Sequence, residues 1–296
     1  MNKVSTGLNG ALALFGAAFI YSTFGILIRQ LATMFGDGAQ SAARFLLALV
    51  FITLFMSIKK EKAVLPKKAV IRASLLGITF GVVLLLFTIS VNTTKIANSV
   101  FLLYAGSIIS SLIIGTFIFK EKLTAIKIIA IVIALFGLLM YSNALLSVSI
   151  GVVTGFASGI FDGISNSLRK SLKGFSRNKL LQYQFAIGGA FLLLTTLITG
   201  EQIIKEVSLL PILVLIVFAL LQVGLGNLLL YGFQHFDVNI GTVILSMELF
   251  FASIMGFLLF REVPTSKELL GGLLIFVASV LSAVDFKELF SKIKTS

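Results

Sequence analysis

The chain is a series of long apolar runs separated by short polar segments. Crossing the roughly 30 Å hydrocarbon core of a membrane takes about 20 helical residues, and ten of these runs are long enough or just long enough. They lie at residues 10–31, 38–58, 69–91, 96–119, 124–142, 149–170, 179–199, 210–233, 239–260 and 266–285. Because the runs lack the alternation of barrel strands, we predict an all-α fold, a polytopic membrane protein with about ten transmembrane helices.

The composition agrees with this prediction. Hydrophobic residues make up 58% of the chain and charged residues 12%, and the mean hydropathy is +1.08. The first run lacks a small-residue cleavage site, so we interpret it as a retained helix and not as a signal peptide. The chain has no cysteine, which excludes disulfides, thiolate metal sites and cysteine nucleophiles.

The distribution of positive charge indicates an orientation. The net charge is +12, but the Lys and Arg residues lie between the spans instead of on one soluble face, so we expect no nucleic-acid partner. With the N-terminus inside, 18 Lys and Arg fall on the cytoplasmic side and five on the opposite side. Short loops rich in Lys and Arg stay in the cytoplasm. We therefore predict a multi-pass protein of the cell (plasma or inner) membrane with both termini cytoplasmic.

A short motif occurs twice in the chain. Residues 119–124 read Phe-Lys-Glu-Lys-Leu-Thr, and residues 260–265 read Phe-Arg-Glu-Val-Pro-Thr. The copies are 141 residues apart, and at an offset of 140 or 141 three further pairs coincide: Asn98 and Asn239, Arg29 and Arg169, Phe45 and Phe185. We infer an internal repeat, the alternative being chance similarity among apolar helices.

The predicted repeats are residues 1–145 and 146–296, each with five spans. Because five is an odd number, the second repeat must enter the membrane from the opposite face. Inverted repeats of this kind are typical of alternating-access transporters, in which the substrate site lies between the repeats near mid-membrane.

These motifs resemble the drug/metabolite transporter superfamily, specifically its EamA-type ten-helix members, over the whole chain. Both copies are similar to the family's Gly-Glu-x-x-Thr corner, with Lys120 and Arg261 where Gly is common. Residues 43–46 resemble the Arg-Phe motif of the second helix, and residues 248–249 resemble the Glu-Pro pair of the ninth helix without its Pro. The resemblance implies a proton-linked or facilitative exporter of amino acids, metabolites or drugs, and does not name the cargo.

Three ionisable side chains lie well inside the spans, away from the span ends. Each would cost about 3 kcal/mol at mid-membrane on insertion scales, so each should face the interior of the bundle. Asp162 and Glu248 lie near the midplane, and Arg44 lies closer to the outer mouth. One hypothesis is that these residues line a substrate cavity and that the carboxylates exchange protons. The alternative is that they only pair with a neighbour, or hydrogen-bond to a backbone group in a helix contact.

The acidic residues are confined to the second half of the chain. In the repeat, Asp162 corresponds to Ser22 and Glu248 corresponds to Ser107. This asymmetry suits a cargo with one polar end, such as an amine or the ammonium group of an amino acid.

Further polar residues in the spans are candidates for substrate binding. They are Tyr21, Ser22, Tyr104, Asn166, Gln222, Asn227 and Tyr231. Their side chains can offer hydrogen bonds or an aromatic wall to a cargo. The alternative is that they only join helices, at about 0.6–2 kcal/mol each.

Two glutamates stand at the ends of spans, Glu121 in the first motif and Glu262 in the second. An acidic residue just before a helix favours its positive N-terminus, so we expect each to stabilise the helix that follows. Thr124 and Thr265 are the expected caps of those helices.

Other functional classes have little support in the sequence. His235 is the one histidine, and no H-E-x-x-H, P-loop or Gly-x-Ser-x-Gly pattern occurs, so we predict no enzyme, no cofactor and no metal. An integral membrane enzyme or a channel remains the alternative. We expect a secondary transporter that exports small polar or amphipathic metabolites by alternating access. Its predicted partners are a small-molecule substrate, membrane lipids and a coupling proton, and the oligomeric state stays open.

Overall fold

A computed structural model of the chain describes residues 3–141, 149–261 and 265–283. Glu262 of the second motif and the C-terminal Lys287, Lys292 and Lys294 of the charge count lie outside these residues. Twelve helices occur in the described part of the chain. They are α1 (Lys3–Tyr21), α2 (Phe24–Ala32), α3 (Asp37–Ile58), α4 (Lys67–Thr93), α5 (Ile96–Phe117), α6 (Ala125–Tyr141), α7 (Ile150–Ser171), α8 (Arg177–Thr199), α9 (Leu209–His235), α10 (Val238–Leu245), α11 (Glu248–Phe260) and α12 (Ser266–Ala283).

These helices confirm the predicted all-α architecture with about ten spans. Helices α1 and α2 together form the first span, and α10 and α11 form the ninth. Eight spans within the described residues are long and apolar enough to cross a membrane. Helix α6 is apolar but shorter. Helix α7 is more polar and packs against α4 and α5, with most of its polar side chains buried.

The distribution of polarity is that of a protein dissolved in lipid. Each of the ten spans presents large exposed apolar side chains, such as Leu12, Ile113 and Leu194. The interior of the bundle holds many buried Ser, Thr, Asn and Gln side chains as well as apolar ones. Hydrogen bonds between helices replace the burial of apolar surface as a source of specificity in such a bundle.

The helix contacts follow the symmetry of an inverted repeat. Helix α5 packs on α7 as α10 and α11 pack on α1, and α4 packs on α7 as α9 packs on α1. The pairs α3 with α8 and α6 with α12 each join equivalent spans of the two halves. Phe45 and Phe185, which the repeat equates, touch edge to face across α3 and α8 with ring centroids 5.2 Å apart. Spans equated by the sequence repeat therefore make equivalent contacts.

The two motif copies share an unusual backbone conformation. Lys120 has φ 54° and Arg261 has φ 56°, both in the left-handed region. Residues with a Cβ pay roughly 1–2 kcal/mol there, whereas Gly does not. This explains why Gly is common at these positions in the family that the chain resembles.

Loop contacts define two sides of the bundle. On one side, Glu61 accepts hydrogen bonds from Ser176 and Asn178. We call this the basic side, because it carries most of the lysines and arginines of the loops. On the opposite side, Asn92 donates to Asp37, and Gly38 N donates to Glu201. The alternation of these contacts along the chain agrees with ten successive crossings.

Close packing of α5 against α7 depends on glycine. A Cβ on Gly159 would meet the carbonyl oxygen of Leu103, and one on Gly106 would lie 2.5 Å from the carbonyl oxygen of Phe156. The two backbones therefore approach as in small-residue interfaces of membrane helices.

We expect Gly159→Ala to destabilise the protein by about 1–3 kcal/mol, because the new methyl group must push α5 and α7 apart. The matched control is Gly224→Ala in α9, since nothing lies within 4 Å of a Cβ there. Thermal unfolding of the purified variants in detergent measures both effects. Equal unfolding temperatures for the two variants would contradict the close packing of α5 and α7.

Candidate functional site

A narrow cavity lies inside the bundle, where helices from both halves meet. Seven apolar residues, two tyrosines and three ionisable residues line it: Tyr21, Phe24, Ile28, Arg44, Phe80, Val83, Leu84, Phe87, Leu103, Tyr104, Asp162 and Glu248. The structure thus brings together five of the ten residues that the sequence singled out. An apolar wall with a few convergent polar groups is the usual character of a small-molecule site.

Glu248 reaches the cavity because the ninth span is interrupted. Helix α10 ends at Leu245, and Glu248 is the first residue of α11. A carboxylate at this position is favoured by the positive end of the α11 dipole. Glu248 accepts a 2.6 Å hydrogen bond from the Tyr104 hydroxyl and is only 4% exposed. Broken helices at mid-membrane occur at the binding sites of many transporters.

Asp162 lies in the middle of the continuous helix α7. Its Oδ2 accepts hydrogen bonds from Ser107 at 2.7 Å and from Asn166 at 2.9 Å. The Ser107 contact requires the close approach of α5 and α7 that the glycines permit. In the repeat, Ser107 is the counterpart of Glu248. These equivalent positions of the fourth and ninth spans therefore each contact a residue of the cavity wall, Asp162 and Tyr104.

Arg44 is fully buried on α3 and lines the same cavity. Its guanidinium donates to Ser41 at 2.9 Å and to Thr88 at 3.0 Å, and it lies 4.5 Å from the centroid of the Phe218 ring. Its Nη1 has no hydrogen-bond partner among the described residues. Arg44 does not form a salt bridge with Asp162 or Glu248 there. The site therefore holds positive and negative charges that are not paired with each other.

Tyr21 completes the tyrosine pair of the cavity at the end of α1. Its ring contacts Phe24 edge to face, with centroids 5.3 Å apart. The break between α1 and α2 at Ser22 and Thr23 places Tyr21 and Phe24 side by side on the cavity wall.

The other predicted residues lie outside the cavity wall. Ser22 donates to the carbonyl of Phe19, and Asn166 donates to Asp162 from behind the wall. Gln222 is buried in α9 with its Oε1 unpartnered among the described residues. Asn227 donates to the carbonyl of Val223 on its own helix, and the Tyr231 ring lies against His235 at the basic end of α9, with ring centroids 4.5 Å apart. The assignment of all ten residues to cargo binding stays a prediction.

Sequence reasoning missed Arg169 as a site residue. It was counted among the cytoplasmic charges, but α7 continues to Ser171, and Arg169 is only 1% exposed. It donates a hydrogen bond to Asn166 Oδ1 and covers the Phe80 ring. The signal was the spacing: Asp162, Asn166 and Arg169 stand at i, i+4 and i+7 and therefore share one helix face.

The comparisons with known proteins agree with this arrangement. The profile of the EamA-like transporter family matches residues 8–143 and again residues 149–284. The chain belongs to the EamA-like transporter family. A solved crystal structure shares the fold, with a TM-score of 0.75 and 13% sequence identity, over 92% of this chain and 95% of that chain. No curated protein matches the chain by sequence.

Membership confirms the resemblance and the coarse function. This EamA-like protein is a multi-pass membrane transporter of two repeats, and its family consists of transporters and not of enzymes. The division of the chain at residue 145 stays a prediction. Within the described residues, no group of three or more His, Asp and Glu could hold a metal ion.

On the basic side, four charged residues of this EamA-like transporter form one cluster, which we call the basic-side cluster: Glu121, Lys127, Lys170 and Asp237. Lys170 pairs with Glu121 and lies 3.2 Å from Asp237, and Lys127 lies 2.7 Å from Asp237. Glu121 also accepts hydrogen bonds from the backbone N–H groups of Val238 and Asn239. Glu121 therefore caps α10 of the other half, and not the following helix α6 as expected.

Two carboxylates on the basic side have shifted pKa values. Burial raises the pKa of Asp237, but the hydrogen bonds and charges of Lys127 and Lys170 outweigh it and hold that pKa below its usual value. Hydrogen bonds from Asn178 and Ser176 lower the pKa of Glu61. Both carboxylates therefore stay ionised at neutral pH and hold the loops of this side together.

Proposed function

We propose that the protein is a secondary transporter that exports small polar or amphipathic metabolites by alternating access. The observation that carries the proposal is the shared cavity, in which both repeats contribute polar groups within an apolar wall. The cargo classes that fit this wall are amino acids, amines and drugs with a charged end and an apolar body. The cavity is narrow, which fits a conformation that is closed to both sides of the membrane.

Proton coupling is part of the proposal. Glu248 and Asp162 each lie beside a hydroxyl donor, Tyr104 and Ser107, in a site withdrawn from water. A carboxylate in such a site can bind either a proton or a cationic cargo, and this competition would couple the transport of protons to the transport of cargo.

Orientation is proposed from the loops. The lysines and arginines of residues 59–72, 120–127 and 170–179 gather on the basic side, which we place in the cytoplasm. Because Arg169 lies within α7, we remove it from the count of cytoplasmic charges. The count is then 17 Lys and Arg on the basic side against five on the opposite side, so the asymmetry remains. The membrane is the cell (plasma or inner) membrane, and both termini are cytoplasmic.

Flux in reconstituted vesicles tests the function. We expect saturable exchange of radiolabelled amino acids or amines that an opposing proton gradient accelerates, and a protonophore should remove that acceleration. A current without saturation would indicate a channel, and a chemically altered substrate would indicate an enzyme. Saturable flux that does not change with the proton gradient would refute the proton coupling but would still support a transporter.

A further inference from the structure

Arg169 is a buried arginine whose hydrogen-bonding capacity is largely unused. Its Nη1 donates to Asn166 Oδ1, while Nε and Nη2 have no partner among the described residues. A charged group buried without partners costs several kcal/mol, so arginines inside membrane bundles mark functional positions. The burial of Arg169 therefore requires an explanation beyond helix packing.

The two free nitrogens form one complete edge of the guanidinium. Nε and Nη2 point the same way and match the two oxygens of a carboxylate, which Arg binds with two parallel hydrogen bonds. The Phe80 ring covers one face of the group, with its centroid 4.4 Å from Cζ. The edge is thus oriented by the ring and by Asn166 before any ligand arrives.

Arg169 is connected to the cavity in two ways. Phe80 also lines the cavity, so one side chain touches both places. Asn166 bonds to Arg169 through its oxygen and to Asp162 through its nitrogen, at 2.9 Å. A negative group and a positive group therefore lie on one helix face, separated by a single amide.

The next residue of the chain leads to the basic side. Lys170 belongs to the basic-side cluster and pairs with Glu121. Arg169 thus lies between the cavity and the cluster that closes this side. The face of α7 that carries Asp162, Asn166 and Arg169 therefore runs from the cavity toward the basic side.

We propose that Arg169 is a second binding position, which takes the carboxylate of a zwitterionic cargo as the cargo moves between the cavity and the basic side. The proposal rests on the transporter function and specifies the cargo class further. Asp162 receives the ammonium group, and the free edge of Arg169 receives the carboxylate. Among the described residues, Arg44 Nε and Nη2 both have partners and only Nη1 is free, so Arg44 cannot bind a carboxylate in the same way.

The test compares amino acids with amines that lack the carboxylate. The probes are L-phenylalanine with phenethylamine and L-leucine with isoamylamine, measured by binding to purified protein and by flux in proteoliposomes. We expect Arg169→Gln to weaken apparent affinity for the amino acids by about tenfold or more, with the amines unchanged. Arg169→Lys should give an intermediate loss, since Lys keeps the charge without the two-nitrogen edge.

The matched control is Arg29→Gln, at the repeat-equivalent position. Arg29 is exposed and donates to the carbonyls of Val91 and Thr94, so its replacement should leave both kinds of probe unchanged. Should Arg169→Gln not fold, Arg169→Lys carries the comparison.

Three outcomes overturn the inference. Equal losses for amino acids and amines in Arg169→Gln would make Arg169 a structural residue. Unchanged affinity for both would show that the cargo does not meet it. A wild-type protein that binds amines but not amino acids would exclude the zwitterion and leave the transporter function standing. Wild-type protein that binds no probe at all would instead refute the proposed cargo class.

Discussion

Glu248→Gln should reduce transport by about 10- to 100-fold. The substitution keeps the shape of the side chain and removes the charge that a cationic group or a proton would neutralise. A hydrogen bond to a charged group contributes about 1.5–3 kcal/mol, which corresponds to that range in affinity. Asp162→Asn should show a loss of similar size. Initial rates of export from loaded vesicles, at saturating and at low cargo, measure both.

Two controls separate the cavity charge from general damage. Glu206→Gln removes an exposed carboxylate far from the cavity and should leave transport unchanged. Tyr104→Phe removes the 2.6 Å hydrogen bond to Glu248 but keeps the carboxylate, so its loss should be smaller. Unaltered transport in both Glu248→Gln and Asp162→Asn would refute the role of the carboxylates.

The sequence was sufficient to predict the spans and their repeat. Within the described residues, helix ends near Ile58 and Thr199 agree with the predicted ends within one residue. The reason is physical: a run of about 20 apolar residues has one stable conformation in lipid, because every backbone group must be bonded within it. Tertiary packing therefore has little influence on the helical conformation of such a run.

The breaks in the first and ninth spans could not be predicted. Neither break contains Pro or Gly; Gly25 follows the first break, but glycine also occurs within unbroken helices such as α4. Ser22 donates to the carbonyl of Phe19, and Ser246 donates to the carbonyl of Val243. Side-chain bonds of this kind to backbone carbonyls accompany both breaks, but the same bonds occur in unbroken helices.

Contacts between the two halves could not be predicted from the sequence either. The charge of Glu121 was correctly associated with a helix N-terminus, but the partner is α10, more than 110 residues away. Arg169, at the end of the predicted sixth span, was counted among the cytoplasmic charges because charges at a span end usually lie in water. Only the packing of α7 against α4 and α5 shows that its side chain turns inward.

The basic-side cluster joins four segments from both halves, so we expect its members to separate when the cavity opens toward this side. Glu121 is 8% exposed and serves both Lys170 and the N-terminus of α10. Removing one partner of a buried ion pair costs about 3–5 kcal/mol, and the partial exposure of Lys170 lowers that figure. We therefore expect Glu121→Gln to weaken the closed basic side and favour access from it.

Cysteine accessibility measures this opening, because the chain has no cysteine of its own. With Leu103→Cys in the cavity wall, a membrane-impermeant maleimide added on the basic side should label Glu121→Gln about tenfold or more faster than the parent. Glu206→Gln is again the control.

Lowering the pH should increase labelling of the cavity only under strong acid. Asp237 stabilises the closed basic side above its unfolded pKa, about 3.9, and this contribution is lost as the pH falls through its lower folded pKa. Labelling that stays constant between pH 8 and 5, yet does not rise in Glu121→Gln, would mean that the basic-side cluster holds the fold together without controlling access.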